Sequence, residues 1–96
     1  MRLLYHSRNK MIKNRDSFGD YVSLTPTESR LIEVLSDEKA HTYEEMSKYV
    51  FKYSYYDSHD YHSLAVHKYR ILKKLEINIK TISNYGWVLK DEIYIM

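Results

Sequence analysis

The feature that most constrains the fold of this chain is a helix-start signal, Thr25-Pro26-Thr27-Glu28. Threonine at the cap, proline at the first helical position and glutamate three residues after the cap together form a capping box. The apolar residues that follow at helical spacing are Leu31, Ile32, Val34 and Leu35. The pattern predicts a first helix of about three turns, with one buried stripe, that ends near Ser36.

A second start signal of the same kind stands at Thr42-Tyr43-Glu44-Glu45. The residues at helical spacing after Thr42 are Tyr43, Met46, Tyr49 and Val50. They predict a second, shorter helix. Residues 52–60 are polar and aromatic without a period, so we predict a loop there. Ser58 or Asp60 then caps a third helix that runs from about residue 61 to residue 75.

Both flanks of this helical core favour extended chain. Before Thr25, the short β-favouring runs are Leu3-Leu4-Tyr5, Met11-Ile12 and Tyr21-Val22-Ser23-Leu24. Turn-forming stretches separate them, which predicts an antiparallel meander. After the third helix, Ile77 to Ile82 alternates in polarity and an extended run resumes at Trp87. We predict a β-hairpin there, with Gly86 and Asn84 supplying positive φ in its turn.

These elements predict one α+β domain over residues 1–96, with the meander at 1–24, three helices at 25–75, and the hairpin and a tail at 76–96. A chain of 96 residues has room for a single core. It has no cysteine, which permits a reducing compartment. No apolar run approaches the ~18 residues of a membrane span, and the start lacks the apolar centre of a signal peptide. We expect a cytoplasmic protein that does not insert into membranes.

Catalytic and metal-binding signals are weak. The sequence contains no Gly-rich phosphate loop, no Gly-x-Ser-x-Gly and no His-Glu-x-x-His, so we predict that the protein is not an enzyme and needs no cofactor. Asp57, His59, Asp60 and His62 crowd together, but they have no further ligand at a distance along the chain. A solvated turn and helix cap explains them better than a metal site.

The third helix carries the most information about function. A helical wheel places Leu64, Ile71, Leu72 and Leu75 within one arc, which predicts the core face. Lys68 lies inside this arc, so its aliphatic stem must lie along the apolar surface while its ammonium reaches water. The opposite arc holds His62, Ser63, Val66, Tyr69, Arg70, Lys73 and Lys74. No acidic residue occurs between Tyr61 and Leu75, so this outer face is positive and rich in hydrogen-bond donors.

Such a face fits DNA. The major groove admits one α-helix, Arg70 can pair bidentately with guanine, Val66 can pack on a thymine methyl, and Lys73 and Lys74 can neutralise phosphates. Scattered solvated charges and a singly exposed Val66 are the alternative explanation. The charge distribution suits an anionic partner: residues 63–96 hold six basic and three acidic residues, whereas residues 15–62 hold five basic and ten acidic.

The order of these elements resembles the winged-helix DNA-binding domain of OmpR/PhoB-type bacterial response regulators. Leu24-Thr25-Pro26-Thr27-Glu28 is similar to that family's "LTPxE" opening, and Thr42-Tyr43-Glu44-Glu45-Met46 to its second helix. Residues 63–75 are similar to "TVDVHISRLRKKL" in register, and residues 79–89 to "IrTVRGvGYrL". The resemblance implies a winged helix-turn-helix with a recognition helix in the major groove and a wing on the adjacent backbone or minor groove.

By position, the resemblance implies that Ser63, Val66 and Arg70 read bases and that His67 contacts phosphate; a merely packed His67 at the edge of the core arc is the alternative. The full predicted DNA-binding set is Ser63, Val66, His67, Tyr69, Arg70, Lys73, Lys74, Lys80 and Asn84. Ser83 stands where the family's wing usually has an arginine, Leu72 where a basic residue is common, and Tyr69 where a small or basic one stands. These departures weaken the implied DNA contact.

The function predicted is sequence-specific binding of double-stranded DNA to regulate transcription, with two copies on repeated half-sites. The rival function is a winged helix that binds RNA polymerase or a sigma factor. Tyr53, Tyr55 and Tyr56 lie in the loop where the resembled family can contact polymerase subunits, so they are candidate docking residues; a role in completing the core is their alternative.

The family's receiver domain does not precede Met1, so we expect either a free-standing, phage-type protein or a domain of a longer regulator.

Overall fold

The computed structural model describes residues 2–16, 19–52 and 58–96, with the side chains of residues 58–60 left undescribed. Its helices are α1 (Pro26–Leu35), α2 (Tyr43–Phe51) and α3 (Ser58–Lys74). Its strands are β1 (Arg2–His6), β2 (Met11–Asn14), β3 (Val22–Ser23), β4 (His41–Thr42), β5 (Ile79–Ile82), β6 (Gly86–Leu89) and β7 (Glu92–Ile95). The predicted α+β class is confirmed.

Both predicted capping boxes are present. The Thr25 side-chain oxygen accepts a hydrogen bond from the Glu28 backbone N–H at 3.1 Å, and the Glu28 carboxylate accepts one from the Thr25 N–H at 2.9 Å. Thr42 and Glu45 repeat this exchange at 3.1 and 3.2 Å. Because each box satisfies two otherwise unpaired donors, the helix starts are set by local sequence.

The strands form two sheets. The first has the order β3-β2-β1-β7, and its first three strands are the antiparallel meander that the sequence predicts. The fourth strand, β7, runs parallel to β1 and was not predicted, because its pairing joins the two distant ends of the described chain. The second sheet has the order β4-β6-β5 and contains the predicted hairpin of β5 and β6.

One hydrophobic core joins the sheets to the helices. Leu31, Ile32 and Leu35 of α1 are fully buried, as the predicted stripe requires, whereas Val34 of the same stripe is only partly buried. Tyr5 of β1 is also buried, and its hydroxyl contacts Ser29 and donates to a Glu33 carboxylate oxygen at 2.6 Å. Burial, then this carboxylate, raises the pKa of Tyr5 to about 12. The hydroxyl therefore stays protonated and holds β1 against α1.

Two details of α3 correct the sequence prediction. The helix begins at Ser58, so the predicted loop is wrong for residues 58–60, and Asp60 lies within the helix rather than at its cap. The absence of an apolar period hid this first turn, which needs no buried stripe to be helical. Leu64 and Ile71 are buried as expected, but Leu72 is 36% exposed. Leu72 sits at the edge of the predicted arc, and the buried stripe is narrower than that arc.

The hairpin turn also differs in one respect. Asn84 has a φ of 59°, as predicted, whereas Gly86 does not have positive φ. Glycine is required at position 86 for a different reason: an added Cβ would overlap the carbonyl oxygen of His41 on the neighbouring strand β4. The close approach of β4 and β6, rather than the conformation of the turn, therefore explains why glycine is required at position 86. Among the described residues, no helix is long and apolar enough to cross a membrane.

Candidate nucleic-acid interface

The outer face of α3 presents the side chains that the sequence singled out for base reading. Ser63, Val66 and Arg70 are spaced by three and four residues, so they share one side of the helix. Val66 is 46% exposed, Arg70 is exposed and Ser63 is half-buried. The helix thus offers a guanidinium, a small branched apolar group and a hydroxyl along one line.

A second row on α3 pairs an aromatic ring with a cation. Tyr69 is 58% exposed, and the Lys73 ammonium lies 4.8 Å from the centroid of its ring. Neither Lys73 nor Arg70 forms an ion pair with any described residue. Since residues 61–74 include no acid, this stretch of α3 supplies no carboxylate to neutralise the positive charge of the face.

His67 lies between this outer face and the core. It is half-buried, its ring centroid is 6.1 Å from that of Phe51, and its Nδ1 has no hydrogen-bond partner among the described residues. Burial, then the positive charge of Arg70, lowers the pKa of His67 below 6.5. The ring is therefore mostly neutral at pH 7, where it can donate one hydrogen bond but adds no charge.

Lys74 is bonded to other groups of the protein. Its ammonium donates to a Glu28 carboxylate oxygen at 2.6 Å and to the Ser23 carbonyl at 3.1 Å. Glu28 is buried, which raises its pKa, but the hydrogen bonds from Lys74 and Thr25 outweigh this effect and the net pKa is lowered. To reach a phosphate, Lys74 would have to leave the buried Glu28 carboxylate without its cation. Its geometry therefore fits a structural contact better than the predicted DNA contact.

The hairpin offers a weakly charged edge. Lys80 is exposed in β5, and Asn84 is exposed in the turn, where the Tyr85 N–H donates to the Ile82 carbonyl at 3.0 Å. The exposed residues at the tip are Ser83, Asn84 and Tyr85. None of them is basic, so the tip offers only neutral hydrogen-bonding groups. Tyr85, 45% exposed, was not among the predicted contacts, and only its place beside the positive-φ residue signals its exposure.

The predicted docking tyrosines Tyr53, Tyr55 and Tyr56 lie outside the described residues, as does Asp57 of the acidic and histidine cluster. Within the described ranges, no group of three or more histidine, aspartate or glutamate side chains is placed to hold a metal ion.

The overall shape has close counterparts among solved structures. The chain is similar to the DNA-binding domain of Bacillus subtilis CssR, with a TM-score of 0.66 and 21% identity over 82% of this chain and 89% of that one. It is similar to the C-terminal domain of the lantibiotic response regulator NsrR, with a TM-score of 0.65 and 23% identity over 88% of each chain. It is also similar to the DNA-binding domain of Escherichia coli CadC, with a TM-score of 0.65 and 18% identity over 88% of this chain and 82% of that one.

No family model matches the chain, and no curated protein matches it. The likeness to solved structures establishes the fold: a winged helix of the kind found in the DNA-binding domains of response regulators. The predicted resemblance to the OmpR/PhoB type is confirmed at this level. In this fold α2 and α3 form the helix-turn-helix, and β5 and β6 form the wing.

Proposed function

We propose that this protein binds double-stranded DNA in a sequence-specific manner and thereby regulates transcription. The observation that carries the proposal is the exposed outer face of α3 over residues 61–74, which contains no acidic residue and holds Arg70 without an ion-pair partner among the described residues. On a winged-helix fold this face belongs to the helix that enters the major groove. DNA binding implies a cytoplasmic location in a bacterial cell.

The proposed roles follow from the chemistry of each side chain. Arg70 reads guanine through two parallel hydrogen bonds, Val66 contacts a thymine methyl and Ser63 assists with a single hydrogen bond. Lys73 and Tyr69 lie at one border of the row and meet the phosphate backbone, and neutral His67 donates one hydrogen bond at the other border. Lys80 and Asn84 extend the contact to the wing.

The phosphate contacts are few, because Lys74 is held by Glu28 and the wing tip has no basic residue. A single domain with few phosphate contacts binds weakly on its own. We therefore propose that two copies occupy repeated half-sites. A preference for operators with two half-sites over single half-sites would support this arrangement.

The test is selection from random duplex DNA at two salt concentrations, followed by titration of the enriched motif with variants. Arg70→Ala should weaken binding to the motif by roughly 1–3 kcal/mol and relax the preference at one base pair, because a bidentate contact to one base is lost. Lys73→Ala should weaken motif and random DNA about equally and reduce the salt dependence by about one phosphate contact.

Arg8→Ala is the matched control, since it removes one exposed arginine from the turn between β1 and β2. It should bind the motif as the wild type does. Equal losses on motif and random DNA for Arg70→Ala would contradict base reading by Arg70. Failure to retain any duplex at about 50 mM salt would contradict DNA binding as a whole.

One observation favours the rival function, a module that binds RNA polymerase or a sigma factor. Val66, Tyr69 and Leu72 are all exposed on α3, and the wing tip is uncharged. Apolar and aromatic groups of this kind also suit a protein partner. Binding of purified bacterial RNA polymerase that Tyr69→Ala abolishes, without any DNA retention by the wild type, would establish the rival in place of the first function.

A further inference from the structure

The outer edge of β7 differs from the other sheet edges of the described chain. The two sheets end in β3 and β7, and in β4 and β5. β3 and β4 have only two residues each, and β5 carries exposed Lys80. Short strands and edge lysines are common ways to prevent edge-to-edge pairing. β7 has four residues, Glu92-Ile93-Tyr94-Ile95, and contains neither lysine nor proline.

The direction of the β7 backbone groups follows from its pairing with β1. The Met96 N–H donates to the Tyr5 carbonyl at 2.8 Å, and the Ser7 N–H donates to the Met96 carbonyl at 3.3 Å, so the backbone of Met96 faces β1. Backbone groups alternate in direction along a strand, and Tyr94 therefore also faces β1. Ile93 and Ile95 direct their N–H and C=O groups away from the sheet.

We propose that this edge binds the β7 edge of a second copy of the chain, as an antiparallel pair centred on Tyr94. In this arrangement Ile93 lies opposite Ile95 of the second copy, and each exchanges both of its free backbone groups with the other. The two-fold axis repeats the exchange, which gives four hydrogen bonds. A two-fold pair suits this edge because the two residues with free groups are symmetric about Tyr94.

The side chains of β7 are compatible with the same pairing. Tyr94 is 42% exposed and Ile95 is 53% exposed, so both have apolar surface left to bury. The two Tyr94 rings meet at the central pair that has no hydrogen bonds, where opposite side chains lie closest. Glu92 lies opposite Met96 of the second copy, so the two Glu92 carboxylates do not face each other. Aromatic contact and the separation of the two Glu92 carboxylates both favour this register, and the Arg15 guanidinium, 5.4 Å from the Tyr94 ring centroid, places a cation beside each ring.

The expected dimer is weak, because a four-residue edge buries far less than the ~1,200 Å² of a stable complex. We expect a monomer at about 10 µM and substantial dimer at about 1 mM. Sedimentation equilibrium over this range should show an apparent mass that rises toward twice that of the monomer. Amide hydrogen exchange of Ile93 and Ile95 should slow as concentration rises. Self-association requires no DNA, so its failure would leave the proposed DNA interface unaffected.

The decisive variant is Ile95→Pro, which removes an outward N–H that the β1–β7 pairing does not use. It should keep the fold, judged by circular dichroism and amide dispersion, and stay monomeric at about 1 mM. Ile95→Val, which keeps the N–H and a branched side chain, is the matched control and should dimerise. Ile95→Lys, which places a charge on the edge without removing the N–H, should also be monomeric and decides the question if the proline variant unfolds.

Two results would overturn the proposal. A wild-type chain that is monomeric at about 1 mM would show that a second copy does not pair with β7, and would leave this edge open to an extended segment of another protein. A dimer that survives in both Ile95→Lys and the folded Ile95→Pro variant would place the interface on a different surface.

Discussion

The Lys68 ammonium lies 4.4 Å from the centroid of the Trp87 ring, and this cation–π contact joins α3 to the base of the wing in β6. The contact explains how a lysine can occupy the apolar arc of α3. Trp87 is buried and is also met edge-on by the Tyr43 ring, with centroids 5.8 Å apart. Burial lowers the pKa of Lys68, as expected for an ammonium that has lost part of its hydration.

Substitutions at Lys68 should distinguish the contribution of its aliphatic stem to stability from the contribution of its charge. Lys68→Ala should lower the free energy of unfolding by about 1 kcal/mol, because both the packed stem and the cation–π contact are lost. Lys68→Arg keeps a cation over the ring and should retain most of the stability, and Lys68→Met isolates the contribution of the charge. Urea denaturation measures all three. An alanine variant as stable as the wild type would show that the contact adds nothing.

The pair of Lys74 and Glu28 should be a stability element. Lys74→Met leaves the buried Glu28 carboxylate without its cation and should cost about 2 kcal/mol at pH 7, which is less than the ~3–5 kcal/mol of a fully buried pair because Lys74 is partly exposed. The same substitution at Lys73, which has no described ion-pair partner, should cost little. Thermal and urea unfolding of the two variants measure the difference, and equal stability would contradict the assignment.

The same pair predicts a pH dependence. The folded pKa of Glu28 lies below its ordinary value of 4.5, so its contribution to stability is present above that value and is lost as pH falls through the folded pKa. Without Lys74, the Glu28 pKa should rise, because burial is then opposed by the Thr25 hydrogen bond but no longer by the ammonium, and this makes Lys74→Met less unfavourable in acid. The stability difference between wild type and Lys74→Met should therefore shrink between pH 7 and about pH 4. A constant difference would argue against the ion pair.

The stabilising contribution of His41 should depend on pH in the opposite direction. Its Nε2 lies 2.8 Å from an Asp37 carboxylate oxygen and its Nδ1 lies 3.2 Å from a Glu45 oxygen, so the doubly protonated ring can donate to both. Burial lowers the pKa of His41, but these two carboxylates outweigh it and the net pKa is above 6.5. Its stabilising contribution is thus full below pH 6.5 and is lost as pH rises through the folded pKa.

Urea unfolding of the wild type and of His41→Gln at about pH 5.5 and about pH 8.5 tests this sign. The wild type should exceed the variant in stability by more at the lower pH. The comparison is made against the variant because His67, whose pKa is lowered, changes wild-type stability in the opposite direction. Asp37→Asn should reduce the His41 effect. A stability difference that grows with pH would contradict the prediction.

Gly86→Ala should be severely destabilising. The added methyl group overlaps the His41 carbonyl oxygen, which belongs to the backbone and cannot move aside as a flexible side chain would. We expect a loss of at least about 3 kcal/mol and disruption of the pairing between β4 and β6. Loss of amide protection at Trp87, measured by hydrogen exchange, would locate the damage. An alanine variant with wild-type stability would show that the two strands can separate at no cost.

Prediction from sequence succeeded where the determining contacts are local. The two capping boxes set the starts of α1 and α2 through hydrogen bonds between residues three apart. The positive φ of Asn84 likewise follows from the short turn that contains it. The placement of Val66 and Arg70 on the exposed side of α3 follows from helical spacing alone. The exposure of these candidate residues was predictable because they lie on one face of one helix.

The remaining features depend on residues far apart in the chain. β7 is a strand because it pairs with β1, Lys74 is occupied because Glu28 of α1 lies beside it, and Gly86 is required because His41 passes close by. The periodicity of a sequence does not reveal such contacts, because each forms only when two distant segments pack. The sequence by itself determined the helices, the meander, the hairpin and the exposed face of α3. Tertiary packing alone decided that Lys74 is held in an ion pair, whereas Lys73 has none among the described residues, and that β7 lies at the edge of a sheet.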